Sequence, residues 1–310
     1  MDNSGQTFSR LIKQKALEIG FSECGISAVR SLDEERKPLQ KWLDEGMNGT
    51  MGYMANHLEK RLDPGKLEEG AKSVVSVLIN YFPSQKQTDP EAPVVSKYAF
   101  GRDYHYVVKE KLNDLLIYIQ SEIAPCSGRA FIDSAPLLER SLAKAAGLGW
   151  IGKHSLLINK HYGSYVFIGE LVIDLELGYD FPFTSDHCGT CTRCIDACPT
   201  KAIVADRVVD ARKCISYHTI ENKEDAPTSI QEKLQNHIFG CDICQDVCPW
   251  NKVIRPSQSG DFKPIEGLLE MTASDWYGLE RDTYNKRFRN SAFERAGYKR
   301  IVRNISYLKA

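Results

Sequence analysis

"CGTCTRCIDACPT", residues 188–200, places four cysteines within eleven positions and closes on Cys198-Pro199. The spacing is Cys188-x2-Cys191-x2-Cys194-x3-Cys198-Pro199; a lone Cys214 follows, then Cys241-x2-Cys244-x3-Cys248-Pro249. The second run repeats the first with its leading cysteine moved upstream to Cys214. Two-residue spacers let successive thiolates wrap one face of an iron–sulfur cubane, while the cysteine before proline reaches away to a neighbouring cluster. By that logic Cys188, Cys191, Cys194 and Cys248 hold one [4Fe–4S] cluster, and Cys198, Cys214, Cys241 and Cys244 hold a second. Paired C-x-x-C also suits tetrahedral zinc, but zinc calls for neither a third cysteine at the same interval nor two Cys-Pro ends. Cys24 and Cys126 have no partner spacing and are expected to be ordinary buried thiols.

Around this core the chain runs to 310 residues, enough for two domains and a small appendage. Hydrophobic residues make up 42% and charged residues 26%, so a sizeable core can be buried. A net charge of −1 gives no global bias toward nucleic acid. The start, "MDNSGQTFSRLIKQ", lacks an apolar h-region, and the longest apolar runs, such as "SVVSVLINYF", are too short to cross a membrane. A cytoplasmic protein is expected, one in which clustered cysteines bind metal rather than form disulfides.

Periodicity predicts an α+β fold. Phe8, Leu11, Ile12, Ala16 and Ile19 follow helical spacing up to Gly20. "SVVSVLINYF" (73–82) is a buried strand, "YVVKEKLNDLLIYIQSEI" a helix, "AFID" a short strand and "LLERSLAKAAG" a helix. "SLLIN" and "YVFIGELVIDLEL" flank the turn "KHYGS" and predict a hairpin. The expected division is a catalytic domain over 1–180, a ferredoxin-like two-cluster domain over 181–255 and a helical segment over 256–310.

Two stretches imitate known motifs. "GLGWIG" (147–152) is G-x-G-x-x-G, but it follows a helix and runs into a strand, the reverse of a dinucleotide site. Its glycines serve a cap and a tight turn, or let backbone approach a cofactor. "DYHYVV" (103–108) approaches the Asp-x-His-x-x-Gly motif that gives cobalamin a histidine ligand, with Val108 where glycine belongs.

"KYAFGRDYH", "FIDSAPLLER", "GLGWIGKH", the cysteine runs and "CISYHTIE" occur together and in order. Together they resemble the epoxyqueuosine reductases, cobalamin- and iron–sulfur-dependent enzymes of tRNA modification, over nearly the whole chain from residue 7. The resemblance implies a nitroreductase-like cobalamin-binding domain over 1–180 packed on the ferredoxin-like domain. It implies reduction of epoxyqueuosine to queuosine at the tRNA wobble position, by a monomer supplied by an external low-potential electron donor. The lower face of the cobalt has no histidine ligand in the family, in keeping with the broken motif at Val108. Many members continue into HEAT-like helices beyond the point that Ala310 reaches here.

Opening an epoxide to an alkene needs electrons that no side chain supplies, so a cofactor must bring them. Asp133 in "FIDSAP" matches the family's proton donor, yet an Asp at a strand end before Ser134 and Pro136 is equally a helix cap. His57, Lys97, Tyr104, Lys153, His154 and Ser216 are candidates for cobalamin contacts beside Asp133, against the alternative of surface polar residues. Arg140 reads as structural. Residues 281–310 carry Arg281, Lys286, Arg287, Arg289, Arg295, Lys299, Arg300, Arg303 and Lys309 against Asp282 and Glu294, an excess of +7 that leaves the rest at −8. Tyr284, Phe288, Tyr298 and Tyr307 are interleaved. Such a run is a solvated helical face or an RNA-binding segment, and the resemblance favours tRNA. Two rivals remain: a corrinoid reductive dehalogenase, which usually carries a twin-arginine signal not seen here, and a ferredoxin-type electron carrier.

The crossover rule is testable on its own. Cys248→Ser should damage the cluster held by Cys188, Cys191 and Cys194, and spectroscopy that showed only the Cys241/Cys244 cluster lost would refute the assignment.

Overall fold

The computed structural model describes residues 3–308. Its centre is an antiparallel four-stranded sheet in the order Glu23–Ala28, Ser73–Asn80, Val166–Ile173, Gly128–Phe131. Every residue of Ser73–Asn80 is buried, as a strand with neighbours on both edges and helices on both faces must be. Helices Asn3–Ile19 and Tyr104–Tyr118 cover one face, burying Ile12, Ala16, Val108, Leu112 and Leu115 against Val75, Val77, Leu171 and Ile173. Gly20, at φ +105°, ends the first helix where the sequence placed its stop. Glu139–Ala145 covers the other face through Leu142 and Ala143.

That second face also buries a carboxyl. Glu170 is fully buried and accepts a hydrogen bond of 2.6 Å from the Ser76 hydroxyl; burial pushes its pKa well above the ordinary value, so it is neutral.

The hairpin expected around "KHYGS" does not form. The turn closes through an Asn159–Gly163 bridge, with the Asn159 side chain accepting from the amides of His161 and Tyr162. The flanking strands then part. Leu157–Ile158 pairs with Trp150–Ile151, whereas Val166–Ile173 enters the main sheet between two other strands. Val166–Ile173 pairs along its whole length with Ser73–Asn80, a match that the five-residue "SLLIN" could not supply. The Glu139–Ala145 helix is also shorter than expected, starting after "LL" rather than on it.

The cysteine-bearing region docks on the first domain through the Trp42 indole, which donates to the Val209 carbonyl (2.7 Å), and through Tyr217, which bonds Thr50. The C-terminal helices pack between the two. Trp276, Phe288, Phe293, Ile301 and Ile305 share one core with Val95, Phe100, Ile238 and Phe239, and the short strand His237–Phe239 runs parallel to Val94–Val95. Ile254 and Phe262 join the core of the first domain. One packed core therefore spans the division expected at residue 255.

Close approach of backbone is what lets Glu139–Ala145 seat on the sheet. A Cβ on Gly25 would lie 2.1 Å from the Ala146 carbonyl oxygen. Gly25→Ala should therefore destabilise the fold by about 1–3 kcal/mol, measured by denaturant unfolding, because backbone rather than a side chain must move.

Candidate active site

Asp133 sits just past the strand Gly128–Phe131 with its backbone in the left-handed region, at φ 48°. A non-glycine residue stays there only where its surroundings hold it. Two groups do so. The Tyr104 hydroxyl donates to Asp133 Oδ2, and the Asp133 amide donates to Glu139 Oε1. Tyr104 has little freedom of its own, since its ring stacks on Phe167 at 4.3 Å and 4°. The helix-cap alternative fails: the next helix begins at Glu139, six residues on, with Leu138 at its N-cap. Asp133 remains exposed to receive a ligand.

The groups around Asp133 form a depression. Desolvation, reinforced by the charges of Glu221 and Asp133, pushes the Tyr53 pKa up to about 12. Burial and then the Asp133 charge push Glu139 up to about 8. Arg140 keeps solvent-accessible surface, yet desolvation by surrounding atoms lowers its pKa, as on the wall of a cleft; its guanidinium donates to the Ser155 carbonyl. Desolvation and the nearby Arg140 charge hold His154 down at about 4, so it is neutral. Three buried polar atoms at this site have no partner: Arg61 Nε, His154 Nε2 and Ser155 Oγ.

The sequence-derived cofactor candidates divide. Tyr104 contacts Asp133 directly, and His154 presents an unpartnered ring nitrogen. His57 is exposed at φ 56°, ahead of Leu58–Leu62. Lys153 pairs with Asp206 at 3.3 Å. Ser216 follows Cys214 and directs its amide at that thiol. Lys97 reaches Asp246 at 2.7 Å and Asp242 at 3.4 Å; burial opposes its charge, but the two carboxylates hold its pKa above the ordinary value. It clamps the turn that carries Cys241 and Cys244. "GLGWIG" runs from a helix end into the strand Trp150–Ile151, as its context implied: Gly149 has φ +155°, and a Cβ there would meet the Ile158 carbonyl at 2.2 Å.

Cys188 lies within electrostatic range of Cys194 and Cys248, and Cys191 of Cys248; Cys198 lies within range of Cys214 and Cys241, and Cys244 of Cys214, Cys241 and, across the two sets, Cys194. Backbone amides of Ile195, Ile243 and Trp250 point at Cys194, Cys241 and Cys248, and the Ala202 amide lies 3.2 Å from Cys198 Sγ. Trp150, Phe183 and Trp250 shield the first set. Tyr98 lies between the Asp133 site and the second set: its ring is 6.2 Å from that of Tyr104, and a Cβ on Gly240, next to Cys241, would lie 3.2 Å from it. Cys24 and Cys126, away from both sets, are both half-buried, and desolvation pushes the Cys24 thiol up to about 12.

The basic C-terminal run is not one surface. Arg303 donates to the carbonyls of His218, Asn222 and Glu224, and Arg300 to that of Ile220. Arg281 lies over the Tyr298 ring at 5.5 Å, Arg287 is half-buried, and Arg295 reaches His105. Lys286, Arg289 and Lys299 are exposed; Lys309 lies outside the described residues. Tyr284 and Phe288 are core residues, not free rings for stacking on bases. Sequence reasoning missed Glu139, Arg61 and His105 as neighbours of Asp133, because their proximity arises from the sheet and not from spacing.

The family 4Fe-4S double cluster binding domain matches residues 187–251, and the family Epoxyqueuosine reductase QueG, DUF1730 matches residues 61–134. An epoxyqueuosine reductase of Cellulophaga algicola is 51% identical over 307 residues, which is 99% of this chain and 100% of the relative. A crystal structure of epoxyqueuosine reductase with a tRNA-Tyr epoxyqueuosine-modified stem loop aligns with a TM-score of 0.90 at 28% identity, covering 97% of this chain and 80% of that one. A catabolic reductive dehalogenase shares the fold alone, with a TM-score of 0.53 at 15% identity over 95% of this chain and 38% of its own. With half its residues shared over essentially its full length, the chain belongs to the epoxyqueuosine reductase family of oxidoreductases.

Proposed function

We propose that this protein reduces epoxyqueuosine to queuosine at the wobble position of tRNA, with Asp133 as the proton donor. The observation that carries the reading is the pinned but accessible Asp133 carboxyl, set beside two fourfold cysteine groups in a chain half identical to an epoxyqueuosine reductase.

The donor sets fit the cofactors this requires. Among the described residues no group of three or more His, Cys, Asp or Glu side chains is arranged to hold a single metal ion. Three thiols at two-residue spacing, or two with an upstream partner, closed by a Cys-Pro and with amides aimed at their sulfurs, suit a cubane better than zinc. The cleft offers unpartnered donors on Arg61 and Ser155 and a neutral His154 nitrogen, a fit for the amide side chains and phosphate of a cobalamin. The cysteines would hold two [4Fe–4S] clusters, and Tyr53, Arg61, Arg140, His154 and Ser155 would line the corrin site. When bound, the corrin and clusters supply low-potential electrons taken from an external carrier.

The chain's own residues do the rest. Tyr104 holds the Asp133 carboxyl through Oδ2, and Glu139 holds the loop by its amide. Protonating the epoxide oxygen as the carbon–oxygen bond opens turns a poor leaving group into a hydroxyl and then into water. Lys286, Arg289 and Lys299 face solvent for tRNA phosphates, on a chain with no described helix long and apolar enough to cross a membrane. A monomer acting in the cytoplasm is the simplest form of this reading.

Asp133→Asn keeps the shape of the side chain while removing the acid. Turnover of epoxyqueuosine-containing tRNA by the reconstituted protein should fall by about 10²–10⁴, with the corrin spectrum and iron content unchanged. Near-normal turnover would take the acid role from Asp133.

Reversing Lys286, Arg289 and Lys299 to Glu should weaken tRNA binding and flatten the slope of log K against log salt by about 2–3. An unchanged salt series would leave those residues as solvated surface.

A further inference from the structure

The "DYHYVV" stretch gives its histidine a use other than metal ligation. His105 Nδ1 lies 2.7 Å from Asp103 Oδ1, and Nε2 lies 3.6 Å from Asp133 Oδ2. Asp103 is 1% exposed, and its other oxygen has no partner. A buried carboxylate accepting from Nδ1–H fixes the imidazole tautomer and turns the Nε2 lone pair outward, the logic by which a carboxylate orients a catalytic histidine. Against that lone pair lies the guanidinium of Arg295. The charged or titratable groups facing His105 are Asp103 and Tyr104 from its own helix, Asp133 with Glu139 behind it, and Arg295 from the C-terminal segment.

Opening the epoxide to an alkene and water consumes two electrons and two protons, and one carboxyl holds only one proton. We propose that His105 is the relay that returns a proton to Asp133 during turnover, with Arg295 holding the relay closed until a nucleic-acid phosphate draws its guanidinium away. The inference rests on Asp133 being the acid.

In the free enzyme Nε2 accepts from Arg295 and cannot carry a proton toward Asp133. A phosphate competes well for a guanidinium, because it offers two oxygens to the planar fork. Nε2 then takes a proton from water, and the imidazolium sits between the carboxylates of Asp103 and Asp133. When the Asp133 O–H bond breaks and the proton joins the epoxide oxygen, the Nε2–H proton moves to Asp133 Oδ2. Nδ1 keeps its proton toward Asp103, and the neutral ring takes the next proton from water. No electrons pass through His105; they arrive from the one-electron carrier of the proposed reaction. The recharged Asp133 supplies the second proton as the former epoxide oxygen leaves.

The test uses cluster- and corrin-loaded protein with tRNA containing epoxyqueuosine. His105→Ala should lower kcat by about 10²-fold with tRNA affinity, iron content and visible spectrum unchanged, and added imidazole should restore it saturably. His105→Gln, which fills the space, should be as slow and insensitive to imidazole. In the Asp133→Asn background His105→Ala should cost nothing more, since both act on one proton. Nitrogen-15 spectra of histidine-labelled protein should show an unprotonated Nε2 in the free enzyme and a protonated one with an anticodon stem-loop RNA bound. If wild type reduces the epoxide and His105→Ala matches it in rate and pH profile, the relay is wrong and the function stands. A loss that imidazole does not restore and that adds to Asp133→Asn makes His105 structural, which also overturns the relay. An Nε2 already protonated in the free enzyme overturns the gating by Arg295. Failure of wild type itself, fully loaded and reduced, brings down the functional reading instead.

Discussion

The hydrogen bond from Tyr104 to Asp133 ties the exposed carboxyl of the site to the helix that covers the main sheet. Tyr104 opens the helix that covers the main sheet, and its ring lies flat on Phe167 from the strand Val166–Ile173. The sheet therefore sets where that hydroxyl can be, and the hydroxyl sets where the Asp133 carboxyl can be. Glu139 completes the arrangement from the opposite face. With its pKa at about 8 it accepts the Asp133 amide as a neutral carboxyl, without adding a second negative charge. Because this value is raised above the ordinary 4.5, the stability linked to Glu139 is complete below pH 4.5 and is lost as pH rises through about 8.

The C-terminal basic run shows why a charge count is a poor guide to a binding surface. Arg300 and Arg303 are long enough to reach carbonyls at the end of the helical turn Tyr217–Glu221, and there they satisfy backbone acceptors that the turn leaves open. Their charges join the cysteine-bearing region to the last helix. What remains for a polyanion is a smaller set of exposed residues, together with Arg295 at the mouth of the Asp133 depression.

Much of the architecture was legible in the sequence, because covalent spacing and periodicity are local properties. Cys248 lies near Cys188 and Cys191 of the first run, and Cys198 near Cys214 and Cys241. The Ser73–Asn80 strand and the Tyr104–Tyr118 helix follow directly from their apolar patterns. The "KHYGS" hairpin misled because a turn signal fixes a reversal of the chain but not which strand pairs with which. Within the site, Asp133 and Tyr104 were visible through resemblance. Glu139, Arg61 and His105 were not, since each owes its place to a fold that brings residues 53–61, 103–105, 133–140 and 295 together. Nothing in the local sequence separates Glu139 and Arg61 from surface charges, and His105 stood out only as the histidine of "DYHYVV".

Asn304 is fully buried and donates from its side chain to the carbonyls of Thr219 and Ile238, in the helix Tyr298–Ser306 whose Ile301 and Ile305 close a core shared with Val95 and Phe100. Contacts between residues two hundred positions apart carry a large loop-closure cost and form late. During synthesis, then, the sheet and its helices can assemble while the ribosome is still adding residues, but the region holding both cysteine groups has no finished wall until the last helix emerges. Cluster insertion would thus face an open scaffold until the Tyr298–Ser306 helix has emerged and packed, so the order in which the chain appears also sets the interval in which iron can be loaded.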